Sequence, residues 1–207
     1  MSRLERVKAL IPHALILLTY ILISLAFCWP LPARLGSEVA GRYVDARVFQ
    51  WNNWWVKQAL FQGLDLNYSE AIYAPSGASL VSHNVNWVSS FLSVPLDALF
   101  GPLASYNLLY LLTFWGPAFA MYCLVLDRTR RRDAAFVAGL VYGFFPYHVS
   151  GNWDGQMNLA NIHWLPLFVL YLFRAVEAGT WRKQARDALL AGLFFALSAL
   201  DCWFFLP

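Results

Sequence analysis

The residues best suited to chemistry lie in one polar, tryptophan-rich stretch, Gly41-Arg42-Tyr43-Val44-Asp45-Ala46-Arg47-Val48-Phe49-Gln50-Trp51-Asn52-Asn53-Trp54-Trp55, set between two long apolar segments. A carboxylate held at such a membrane boundary beside several tryptophans is where a lipid-linked substrate could meet a base. Asp45 is the candidate base. Arg42, Arg47 and His83 are candidates for a phosphate, against the simpler readings of a snorkelling arginine and a surface histidine. Asn52, Asp154 and Gln156 complete the set of candidate substrate contacts. Asp154 lies in His148-Val149-Ser150-Gly151-Asn152-Trp153-Asp154-Gly155-Gln156-Met157-Asn158. Facing Asp45, it would divide the roles of base and metal ligand or share one divalent cation. The simpler reading is a solvated turn built on Asn-Trp-Asp-Gly.

The elements that must position these residues are membrane-grade. The chain has 207 residues, 59% hydrophobic and only 13% charged, outside the balance of soluble domains. Apolar runs cover Ala9 to Trp29, Leu103 to Leu126, Ala134 to Tyr147, Trp164 to Val176 and Ala188 to Leu206, with a shorter one at Val88 to Phe100. The first is long enough to span a bilayer and lacks a good cleavage site, so it reads as a retained span and not a signal peptide. Lys and Arg gather at the N-terminus, at Arg128 to Arg132 and at Arg174 to Arg186. All three fall on one side only if Val88 to Phe100 does not cross, and cytoplasmic ends are the ones rich in Lys and Arg. The expected fold is therefore an all-α integral membrane protein of about five transmembrane helices, a single membrane domain over 1–207. Its first outer loop, 30–87, carries juxtamembrane and interfacial helices. The N-terminus is expected in the cytoplasm, and Ala188 to Pro207, which stops without a polar flank, reads as the front part of a longer protein.

Within that loop, Val44 to Gln62 has helical length and stops at Gly63. At about 100° per residue, Val44, Val48, Trp51, Trp55 and Ala59 share one face, and Arg47, Gln50, Asn53, Lys57 and Gln58 the other. Trp51, Trp54 and Trp55 are expected at headgroup level. Asp45 and Asn52 fall in the apolar arc, where an unpaired carboxylate is costly. Either Asp45 caps the helix or it is aimed into a cavity, and the two are compatible. Tyr73 to His83 is predicted to fold back as a turn and short strand.

Other chemistries are excluded by what the sequence lacks. Basic residues at segment ends do not make a nucleic-acid surface. Cys28, Cys123 and Cys202 lie in apolar runs without metal spacing, so neither zinc nor disulfides are expected. No Walker loop, dinucleotide fingerprint, nucleophile elbow or His-Glu-x-x-His is present.

The order of one span, a long loop opening on an acid, a Pro-containing short helix, a span ending in arginines and a span ending in Phe144-Phe145-Pro146-Tyr147 resembles the GT-C superfamily of membrane glycosyltransferases. The likeness is to the protein O-mannosyltransferase and aminoarabinose transferase types, and more nearly to a bacterial, cell-envelope branch of them. It rests on Gly41 to Trp55, Val88 to Gly101 and Tyr110 to Ser150. The resemblance implies transfer of a sugar from a polyprenyl-phosphate donor on the outer face of the bacterial plasma membrane. It makes Asp45 the base or a ligand of a divalent metal such as Mg or Mn, and an inverting transfer would need cations on the departing phosphate, for which Arg42, Arg47 and His83 are available. Many members carry two adjacent acids where this chain has Asp45 alone. The alternative is a non-catalytic multispan protein, a transporter subunit or assembly scaffold, in which Asp45 only caps a helix. The sequence assigns neither sugar nor oligomeric state.

Overall fold

A computed structural model describes residues 3–42 and 44–205. The fold is all-α apart from one short hairpin. Its helices are α1 (Arg3–Phe27), α2 (Val44–Gln62), α3 (Trp87–Phe100), α4 (Pro102–Thr129), α5 (Arg132–Phe144), α6 (Pro146–Trp153), α7 (Met157–Ala160), α8 (Trp164–Val176) and α9 (Trp181–Asp201). Among the described residues, three stretches are long and apolar enough to cross a membrane: Leu10–Phe27, Pro102–Thr129 and Met157–Val176. Helix α3 has 14 residues and α5 has 13, each about 20 Å at 1.5 Å per residue.

Five helices run in alternating directions. His13 of α1 meets Tyr122 of α4, while Phe27 meets Phe114, so α1 and α4 are antiparallel. Gly139 and Gly143 set α5 against α4. A Cβ on Gly139 would lie 2.5 Å from the Ala118 carbonyl oxygen, and one on Gly143 would lie 2.9 Å from that of Phe114. Small residues four apart thus let the two backbones meet. Arg174 bonds Asp127, and Arg128 bonds Glu177 through two contacts of 2.7 and 2.6 Å. Both arginine clusters therefore occupy one end of the bundle, as the charge pattern requires, and the loops occupy the other.

The loop end is built from α2, α3, α6, α7 and the hairpin β1 (Tyr68–Ser69) and β2 (Ala78–Ser79). The turn and strand expected in Tyr73 to His83 are thus present. Helix α2 packs on α3 through Lys57 Nζ to Asp97 Oδ2 at 2.7 Å and Ser90 Oγ to Asn53 Oδ1 at 3.1 Å. Its buried residues are Ala46, Phe49, Asn52, Asn53, Trp55, Val56 and Ala59. The phase read from the sequence is therefore corrected: Val44 is exposed, Val48 and Trp51 are half-buried, and Asn53 faces inward. Ser90 donates to the inward Asn53 Oδ1, a partner that hydrophobicity alone does not register, while Asn53 Nδ2 is buried without a partner among the described residues. Of the three tryptophans expected at headgroup level, Trp55 is buried. Its indole N–H donates to the Leu66 carbonyl, and Trp51 stacks on it.

The segment from His148 to Asn158 forms most of α6 and the start of α7, joined by a turn at Asp154-Gly155, where Asn-Trp-Asp-Gly predicts one. Pro146 opens α6 in the first-turn position where proline costs no hydrogen bond, and it ends α5 at Phe144. His148, Asn152 and Asn158 are buried.

Candidate functional site at the loop end

The first loop is held by two α4 side chains. Asn107 accepts from the Ala40 N–H at 3.0 Å and donates to the carbonyls of Leu35 and Glu38, each at 2.7 Å; Tyr106 donates to the Ala40 carbonyl. Both are fully buried. These bonds replace the water that the turn's backbone loses on burial.

The held segment then docks on the second loop. Arg42 N–H donates to the Trp153 carbonyl at 2.9 Å. Gly41, Ala46 and Gly155 meet at a distance that no larger residue would permit. A Cβ on Gly155 would lie 2.9 Å from the Ala46 nitrogen, and one on Gly41 would lie 2.8 Å from the Gly155 Cα. Both glycines have positive φ, +95° and +83°, which glycine alone adopts freely. Asp45 precedes Ala46, and Asp154 and Gln156 flank Gly155, so this contact brings together the backbone segments that carry both acids.

Beside it lies a cavity of about 280 Å³ between the ends of α1, α4 and α6. Its walls are mainly apolar, including Phe27, Tyr110, Phe114 and Trp153, with Glu38 and Arg42 as the charged residues. The Arg42 guanidinium sits 5.8 Å from the Trp153 ring centroid, within cation–π range.

The predicted residues separate into two groups. Arg42, Asp45, Arg47, Asp154 and Gln156 make no side-chain hydrogen bond or ion pair with described residues. Asp45 accordingly makes no capping hydrogen bond with them. Asn52 and His83 are instead partnered with each other. Asn52 Oδ1 meets His83 Nε2 at 2.8 Å, and its Nδ2 donates to the Asn84 carbonyl at 2.9 Å. Burial lowers the His83 pKa below its ordinary value. His83 lines a different cavity, of about 370 Å³, with Asn86, Trp87 and Trp203.

Beneath the locus lies a polar layer that sequence reading did not resolve. Thr113 Oγ1 donates to Asn152 Oδ1 at 2.7 Å, and Asn152 Nδ2 approaches His148 Nε2 at 3.2 Å, with His148 Nδ1 2.8 Å from the Gly143 carbonyl. Buried, His148 has its pKa lowered by desolvation, while hydrogen bonds to the Ala160 and Gly143 carbonyls act in the opposite direction. A neutral ring serves only one of these carbonyls: with the proton on Nδ1 it donates to Gly143 and accepts from Asn152, and the Ala160 carbonyl, 3.1 Å from Nε2, receives no hydrogen bond from it. A signal was present: Thr113 and Asn107 are polar residues inside an apolar run.

Among the described residues no group of three or more His, Cys, Asp or Glu converges. Asp45 and Asp154 are hard oxygen donors of the kind a divalent cation takes. Comparison with protein-family models, curated proteins and solved structures finds no match to this chain.

Proposed function

We propose that the chain is an integral membrane glycosyltransferase of the GT-C type, moving a sugar from a polyprenyl-phosphate donor to an acceptor hydroxyl at the loop end. The observation that supports this reading is the backbone contact of Gly41 and Ala46 with Gly155, which sets the segments carrying Asp45, Asp154 and Gln156, none with a side-chain hydrogen bond or ion pair to described residues, next to the apolar cavity lined by Arg42. Polar groups that only hold a fold are usually spent on hydrogen bonds, as Asn107 and Asn52 are.

In this reading α1, α4, α5, α8 and α9 cross the membrane, with the arginine end and N-terminus in the cytoplasm. The prenyl chain lies against the apolar wall of the Arg42 cavity, and Arg42 and Arg47 meet the donor phosphate. Asp45 takes the proton of the acceptor hydroxyl as its oxygen bonds to the sugar's anomeric carbon. The bond from that carbon to the phosphate oxygen breaks, and polyprenyl phosphate leaves with the electron pair. A divalent cation held by Asp45 and Asp154, when bound, would add charge neutralisation at the phosphate.

The test is transfer of labelled sugar from polyprenyl-phosphate donors by the full chain in proteoliposomes. Asp45→Asn is expected to lower the rate by about 10²–10⁴-fold, the usual contribution of a general base. Undiminished transfer by that variant would remove Asp45 from the mechanism. No transfer from any such donor by the unaltered chain would return it to the non-catalytic reading.

A further inference from the structure

We propose that the arginine end carries a binding site for an anionic glycerophospholipid, in the cavity between α1, α4 and α8. This cavity is about 350 Å³, within the roughly 300–1,000 Å³ of small-molecule pockets. It stands at the opposite end of the bundle from Asp45. Phe119 and Leu126 of α4 face Leu167 and Leu170 of α8 across it, and the His13 to Tyr122 hydrogen bond at 2.8 Å joins α1 to α4 at its side. Those apolar walls suit an acyl chain.

The charges around it are unequally matched. Asp127 is taken by Arg174, whose Nε donates at 2.9 Å, and Glu177 is taken by Arg128. Arg131 is paired with Asp133 at 2.6 Å. Arg130, which lines the cavity, has no acidic partner among the described residues. It closes α4 in the left-handed region, φ 59°, its N–H held by the Leu126 carbonyl. An apolar groove with the unspent guanidinium of Arg130 at its edge matches a phosphate joined to a hydrocarbon chain. A zwitterionic lipid would set its own cation against it.

The inference rests on the membrane reading above and is independent of glycosyl transfer. Its test contains no sugar donor, so failure of one leaves the other standing. The full chain in mild non-ionic detergent is offered equal amounts of dioleoylphosphatidylglycerol and dioleoylphosphatidylcholine, and retained lipid is counted by native mass spectrometry. Preferential retention of phosphatidylglycerol is expected. Arg130→Asn removes the charge with a residue that tolerates the left-handed conformation, and should lower that preference roughly five-fold. Arg182→Gln, an exposed site outside the cavity, should leave it unchanged. Leu167→Trp fills the groove without altering charge and should also reduce retention. Equal retention of the two lipids overturns the site, as does an equal loss in Arg182→Gln, which would mark diffuse attraction to a basic surface. Full displacement by millimolar inorganic phosphate would show that the acyl chain contributes nothing, and would overturn the lipid assignment.

Discussion

Asn52 and Asp45 are seven residues apart on one helix and read alike in sequence, yet their surroundings differ. Asn52 is buried with its amide fully engaged, so Asn52→Ala strands the His83 ring and the Asn84 carbonyl. A loss of about 1–3 kcal/mol is expected for such stranded groups, measured by denaturant unfolding. Asp45→Asn should leave that stability unchanged to within about 0.5 kcal/mol, since it breaks no bond to the described residues. The two histidines give a further prediction at this scale. Burial lowers the pKa of His83 and His148 below the ordinary 6.5, so the folded state binds their protons less readily than the unfolded chain. The stability they confer is complete above about pH 6.5 and is lost as pH falls through their depressed folded values. Unfolding curves taken at falling pH should show this loss, and His148→Gln should flatten it.

At the scale of elements, two glycine contacts separate architecture from function. Gly139→Ala would drive a Cβ to 2.5 Å from the Ala118 carbonyl and to 2.2 Å from the Tyr20 hydroxyl, forcing α5 off α4. Overpacking of this kind costs about 1–3 kcal/mol, and the thermal midpoint should fall. Gly155→Ala acts elsewhere. Its φ of +83° and its contact with Ala46 backbone would push the second loop away from α2 and part the backbone segments that carry Asp45 and Asp154. Helical content by circular dichroism should be retained while sugar transfer falls at least about ten-fold, the penalty of a small misplacement of reacting groups. Equal transfer in this variant would separate Asp154 from the reaction. The helices themselves were legible from apolar length and from Pro146 and Gly63. The phase of α2 was not, because Asn53 is stabilised inward by Ser90, a residue 37 positions away.

For the whole molecule, the arrangement of charge at one end and open polar groups at the other predicts a topology. Single cysteines at Thr129 and Thr180 of the arginine end should react with an impermeant maleimide only after cells are opened. Cysteines at Ser82 and Ser150 of the loop end should react in intact cells; all four positions are exposed. Labelling of Thr129→Cys from outside would invert the site assignment. The Leu10–Phe27 window is only 11% buried, which leaves most of an apolar helix uncovered and suits hydrocarbon as its solvent.

Composition, apolar run lengths and the spacing of basic clusters were enough to establish a helical bundle with both arginine groups at one end, because these properties belong to single segments and their parity. They were also enough to single out Asp45, Arg42 and Asp154 as polar groups at the other end. Which of the candidates stayed open was decided only by tertiary structure. Burial engaged Asn52 and His83 with each other, Asn107 tied down the first loop, and Gly41 and Gly155 let two distant backbones touch at Ala46. Hydrogen-bond satisfaction and close approach depend on partners from other parts of the chain, and no local pattern in sequence records them.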